Sequence, residues 1–211
     1  MLKQESSPTS RIETFSDGVF AIAITLLILE LALPEGGGSR HELLDFLGRQ
    51  WPSYLSYIAG FLTIGAIWIN HHYIFGFVAR VNQPFLFANV MFLMSIAFMP
   101  WVTAVLASTF RSTEQRDLSV TLYLAVLVLM GWMFNAIWVL AKRMHLLDES
   151  DPQQLRAISR SYPLGASALT LAFVVSMVSS LAALAIYAVV VAFYIVKGPE
   201  AKARRRRGHA P

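Results

Sequence analysis

Acidic side chains are almost absent from the apolar parts of this 211-residue chain, which makes Asp17 and Glu30 the first places to look for chemistry. They bracket the first long apolar run, and Thr25 is the only polar side chain between them. No later apolar run contains Asp or Glu. Ionisable groups inside a hydrophobic span are costly and mark either function or a buried pairing. At about 100° per residue, Gly18, Ile22, Thr25, Leu26 and Leu29 share one helical face, while Asp17 points roughly 140° away from Ile22. Gly18, Ala21 and Thr25 add a small-residue seam that lets neighbouring helices approach closely. Around a symmetry axis such helices would stack rings of Ile and Leu, which close a pore by dewetting, and a ring of Thr oxygens facing a dehydrating cation. The same residues also suit lipid or core contacts, with Thr25 bonding back to its own helix. Pattern alone leaves both open.

A second group of polar residues falls at one depth. Asn70, His71 and His72 lie near the end of the second apolar run, Asn89 follows the start of the third, and Asn135 comes late in the fourth. Buried polar groups need partners, so a layer is expected in which Asp17 meets His71 or Asn70, with Arg11 nearby. Ser16 or Asp17 could instead simply cap a helix N-terminus. A metal site on Asp17, His71 and His72 is the sharper alternative, although adjacent histidines chelate poorly compared with an i, i+4 pair. Glu30 could concentrate cations at an outer mouth or merely snorkel to water.

The elements that must position these groups are written in the composition. The chain is 56% hydrophobic and 14% charged, against roughly 25% charged in an ordinary soluble domain. Backbone groups in hydrocarbon must be satisfied internally, by helices or a closed barrel. The apolar runs are too long and too continuous for alternating barrel strands of about 10 residues. The expected fold is therefore an all-α integral membrane protein of six transmembrane helices per subunit. The approximate spans are 15–33, 51–78, 85–110, 118–141, 162–178 and 181–197, with a kink at Pro100 and an interfacial amphipathic stretch over 40–50. The last two come from one uncharged stretch, 162–196, which as a single helix would be about 52 Å long and is predicted to turn near Ser179 and Ser180. Around this domain, 15–197, lie an N-terminal segment, 1–14, and a basic tail, 198–211.

Six spans put both termini on one side. All Lys and Arg except Arg40, Arg49, Arg111 and Arg116 then share that side, which the positive-inside rule makes cytoplasmic. The first fourteen residues are polar, so no cleavable signal is expected. There is no Cys for thiolate chemistry. No re-entrant filter of TVGYG type, P-loop, dinucleotide fingerprint or arginine-repeat voltage sensor is present. The Arg204–Arg207 run suits anionic lipid head groups or a topology anchor.

The segment RIETFSDGVFAIAITLLILEL (Arg11 to Leu31) resembles the first helix of the endolysosomal potassium channel family called transmembrane protein 175, prokaryotic branch. Arg11, Phe15, Ser16 and Asp17 meet its Arg-x-x-x-Phe-Ser-Asp pattern in full. WINHH (Trp68 to His72) and FMPW (Phe98 to Trp101) resemble its second and third helices, and the last three spans agree in number and hydropathy only.

The resemblance implies a tetramer of six-helix subunits with first helices lining a cation pore that lacks a carbonyl filter. It puts the constriction at Ile22, further apolar pore positions at Leu26 and Leu29, and a polar ring tied to potassium preference at Thr25. It also implies an inter-helix network of Arg11, Phe15, Ser16, Asp17, Asn70 and His71. Animal members carry two six-helix repeats and this chain has one. The expectation is a potassium-permeable channel and not an enzyme, a homo-oligomer in the lipid bilayer of a bacterial plasma membrane. It is expected to pass monovalent cations, with no cofactor, no bound metal and no nucleic-acid partner. A membrane metalloenzyme or hydrolase and a proton-coupled transporter, both using Asp17 and His71, are the rivals.

Overall fold

The computed structural model describes residues 8–34 and 36–197; the first seven residues and the basic tail, 198–211, lie outside them. The helices are α1 (Pro8–Leu26, continued by a 3-10 turn Leu27–Glu30), α2 (Arg40–Arg49), α3 (Trp51–Phe75) and α4 (Gln83–Ala97). After them come α5 (Met99–Thr109), α6 (Thr113–Arg143), α7 (Pro152–Ser176) and α8 (Ser180–Lys197). Among the described residues there is no strand, only an isolated bridge between Val78 and Leu147.

Helix starts are set by proline and by caps. Proline stands in the first turn of α3, α4, α5 and α7, where its missing N–H costs nothing. Asn82 Oδ1 accepts from the Phe85 amide at 3.1 Å and Asp151 Oδ1 from the Gln154 amide at 3.0 Å, capping α4 and α7. Ser39 and Glu42 close a reciprocal capping box on the short α2.

Several boundaries differ from the hydropathy reading. α1 is helical already at Pro8, α6 begins at Thr113, and α7 begins at Pro152 inside what reads as a polar loop. Hydropathy registers lipid contact, whereas a nucleated helix continues into water at little cost. Over its 31 residues, α6 reaches roughly 46 Å, longer than the hydrocarbon is thick. Glu114 at its start and Lys142 and Arg143 at its end suit the helix dipole.

The third apolar run breaks at Phe98 into α4 and α5. Pro100 supplies the reason, because it cannot donate to the Ile96 carbonyl and its ring crowds that turn. After Ser176 the chain turns through 177–179 and reverses into α8, with Ser179 Oγ accepting from the Ala182 amide at 3.3 Å.

Among the described residues, five helical stretches are long and apolar enough to cross a membrane: Thr9–Glu30, Trp51–Phe75, Gln83–Thr109, Thr113–Arg143 and Pro152–Ser176. The apolar part of α8 is shorter. At the centre, α6 packs against α4, α5, α7 and α8, while α1 lies across α3 and α4. Phe20, Phe75, Phe85, Phe92, Tyr123 and Leu124 form the fully buried heart of the core.

Candidate functional site

α1 is buried along one edge only. Ile12, Ser16, Phe20, Ala23 and Leu27 recur every three or four residues and face the protomer, with Phe20 and Leu27 each 1% exposed. The opposite edge is bare. Ile22 is 61% and Leu29 73% exposed, and Phe15, Gly18, Thr25 and Leu26 are exposed with them. The face picked out by helical arithmetic is thus the one α1 turns away from its own subunit.

Thr25 Oγ1 lies 2.9 Å from both the Ala21 and the Ile22 carbonyl oxygens. Its proton is shared between those backbone acceptors, which leaves the hydroxyl lone pairs free on the exposed face. A hydroxyl held this way offers a cation its negative end. Back-bonding and coordination are compatible.

A buried polar chain sets the rotation of α1. Asn89 Nδ2 donates to Ser16 Oγ at 3.0 Å, and the Asn89 carbonyl oxygen accepts from His71 Nε2 at 3.0 Å. With the amide nitrogen committed to Ser16, the oxygen must accept, so His71 carries its proton on Nε2. The imidazole stacks on Phe75 at 4.2 Å and also contacts the Phe20 and Phe92 rings. Ser16, His71 and Asn89 are buried on α1, α3 and α4 respectively, so the chain ties three helices together.

The expected contact between Asp17 and His71 or Asn70 is replaced by another. Asp17 Oδ1 accepts from Trp68 Nε1 at 2.8 Å. One residue on from Ser16, Asp17 lies about 100° around α1 and faces the outer side of α3, where Trp68 stacks on His72 at 5.9 Å. Asn70 leaves the layer for the same reason. It stands about 100° from His71, donates Nδ2 to the Ala66 carbonyl at 2.7 Å, and turns its oxygen elsewhere. Asn135 likewise bonds the Gly131 and Tyr162 carbonyls rather than the α1 layer. Arg11 and Phe15 are exposed, and Arg11 makes no ion pair with Asp17 among the described residues.

Two partners carry more than the sequence reading assigned them. Asn89 is the hub of the buried chain, and its depth was the available signal. Trp68 supplies the donor for Asp17, and its place four residues before His72 marks their shared face. Among the described residues no three His, Asp or Glu side chains gather as a metal site would require.

Comparison with known proteins turns on the same segments. Residues 11–100 match the family described as endosomal/lysosomal potassium channel TMEM175. A potassium channel of Streptomyces collinus is 40% identical over 188 residues, covering 88% of this chain and 91% of that protein. The chain belongs to the TMEM175 family. Its fold matches the crystal structure of a lysosomal potassium-selective channel TMEM175 homolog from Chamaesiphon minutus with a TM-score of 0.82. That match has 34% identity and covers 92% of this chain and 99% of the other. The bovine endosomal/lysosomal proton channel TMEM175 is 34% identical over 154 residues, which is 68% of this chain but 31% of that protein. The kinship is to channels and not to enzymes.

Proposed function

We propose that this TMEM175 protein is a potassium-permeable channel whose pore is lined by α1 from several subunits, most simply four. The observation that carries the proposal is the bare edge of α1, on which Ile22, Thr25 and Leu29 are exposed while the opposite edge is locked in place by Asn89. Facing an axis, Ile22 forms the narrowest apolar ring, with Leu26 and Leu29 beyond it, and a passing ion sheds part of its hydration at the Thr25 oxygens. Arg11, Phe15 and Asp17 then border the cytoplasmic approach to the pore.

No side chain between Asp17 and Glu30 titrates, so a proton relay along this face has no carrier. A relay from Asp17 to His71 is also disfavoured, since their hydrogen bonds lead to Trp68 and Asn89. The relatives named as potassium channels support the same passenger. With 18 residues, α8 is about 27 Å long and can serve as a sixth, antiparallel span. Both termini are then cytoplasmic, in a bacterial plasma membrane, and no cofactor or filter loop is required.

Potassium currents from the purified protein in planar bilayers test the proposal, with the Ile22→Asn variant measured alongside. Wild-type current is expected, rising about tenfold or more in the variant because an amide ring stays wet where an isoleucine ring dries. Silence from both would overturn it. Mass measurement in detergent checks the assembly, since a monomer cannot form the ring.

A further inference from the structure

α6 and α7 run antiparallel, and side-chain bonds mark the seam between them. Trp132 Nε1 donates to Thr170 Oγ1 at 3.1 Å, Asn135 Nδ2 to the Tyr162 carbonyl at 3.3 Å, and Trp138 Nε1 to Ser159 Oγ at 2.9 Å. Each helix shows an exposed strip beside this seam. On α6 the strip is Leu129, Trp132, Ala136 and Val139, in steps of three and four residues, and the next step is Arg143. On α7, read backwards, it is Val174, Leu171, Ser167 and Leu164, and the next two steps are Arg160 and Arg156. Thr170 lies within one turn of Ser167 and Val174, so its bond to Trp132 joins the two strips.

One largely apolar surface thus ends in three exposed arginines. Arg143, one turn and a half past Trp138, comes level with the first turns of α7, where Arg156 and Arg160 stand. The nearby loop acids are Asp148, Glu149 and Asp151; Asp148 and Asp151 accept from the Ser150 and Gln154 amides. Among the described residues, ion pairs join only His41 to Asp45 and Arg116 to Asp117, so none of the three guanidinium groups has a carboxylate partner. α7 packs on α6 and α8, whereas α1 packs on α3, α4 and α5. With α1 about the pore axis, the seam faces outward to lipid. Acyl chains alone would cover the strips, but unpaired arginines at the edge of the hydrocarbon attract an anion.

We propose that the α6–α7 seam binds an anionic glycerophospholipid of the phosphatidylglycerol class from the cytoplasmic leaflet. Its phosphodiester sits among Arg143, Arg156 and Arg160, whose N–H forks match pairs of phosphate oxygens. An acyl chain lies along Trp132, Val139 and Leu164. Phosphatidylcholine fits less well, because its headgroup carries a cation of its own to the arginines. A free phosphate would meet the arginines and leave the apolar strips bare. The outward orientation of the seam rests on the pore reading of α1.

The test uses the full chain in detergent with phosphatidylglycerol or phosphatidylcholine added. Native mass spectrometry measures the lipid retained. Acyl chains carrying bromine quench a tryptophan they touch, and Trp132→Phe identifies the share of fluorescence that comes from the seam. Phosphatidylglycerol is expected to bind at least about tenfold more tightly, and to lose that advantage when Arg143, Arg156 and Arg160 are all changed to Gln. Brominated phosphatidylglycerol should quench Trp132 more than brominated phosphatidylcholine does. Any of three results would overturn the site: equal retention of the two lipids, equal quenching of Trp132 by both, or a Trp132 shielded from either. Those comparisons use arginine-intact protein, so a misfolded triple variant does not shield the proposal. No readout involves conduction, so a failure here is distinct from a failure of the pore reading.

Discussion

Asn89 and Asn70 are both buried amides on membrane helices, but their surroundings treat them differently. Asn89 uses both ends across helix boundaries, on Ser16 and His71. Asn70 uses one end within its own helix and leaves its oxygen unpaired. A fully partnered amide locks neighbours together, because removing it strands groups on both sides. A half-partnered amide bonds only within its own helix and ties no neighbour to it. The first anchors α1 against α3 and α4, and the second bonds only within α3, although Asn70 and His71 are consecutive in the chain.

The largest expected effect tests the locked side. Asn89→Leu strands Ser16 and His71 together and should cost about 2–4 kcal/mol in unfolding experiments in detergent. A cost near zero would erase the distinction between the two asparagines. Next comes the packing between α7 and α8. A Cβ on Gly165 would collide with the Tyr194 hydroxyl and ring, so Gly165→Ala should cost about 1–3 kcal/mol, and Tyr194→Leu in the same chain should recover most of it.

A smaller change probes the exposed partner of the anchor. Asp17→Leu removes the acceptor from Trp68 and should cost about 1 kcal/mol by thermal unfolding, whereas Asp17→Asn keeps an acceptor and should cost less than half of that. Equal losses would mean that the carboxylate charge, not the hydrogen bond, matters there. Smallest of all is Tyr162→Phe. Deleting an unpartnered hydroxyl should leave stability within about 0.5 kcal/mol of wild type or raise it. A loss above that would show that Tyr162 Oη already has a partner.

The candidate pore face was legible from residue types and the helical repeat, since Ile22, Thr25 and Leu29 fall on one edge whatever α1 packs against. The polar layer was legible as a depth for His71 and Asn89, which do meet; Ser16, which position offered only as a helix cap, completes the chain. The pairing within it was not. Asp17 had the right height for His71, but whether two groups touch depends on rotation about two helix axes, and one residue of offset swings a side chain by about 100°. Trp68 could not be chosen over Asn70 without knowing which side of α3 the first helix lies against.

By itself, the amino-acid order determined that helices are the only answer to long uncharged runs, and that a lone pair of acids singles out the first of them. Those conclusions need only the free energy of each segment in lipid, a sum over local residues. Tertiary structure alone decided that Asn89 is the hub, that Trp68 holds Asp17, and that Asn70 bonds only within its own helix. Hydrogen bonds depend on distance and direction between separate helices, and those coordinates exist only once the bundle has closed.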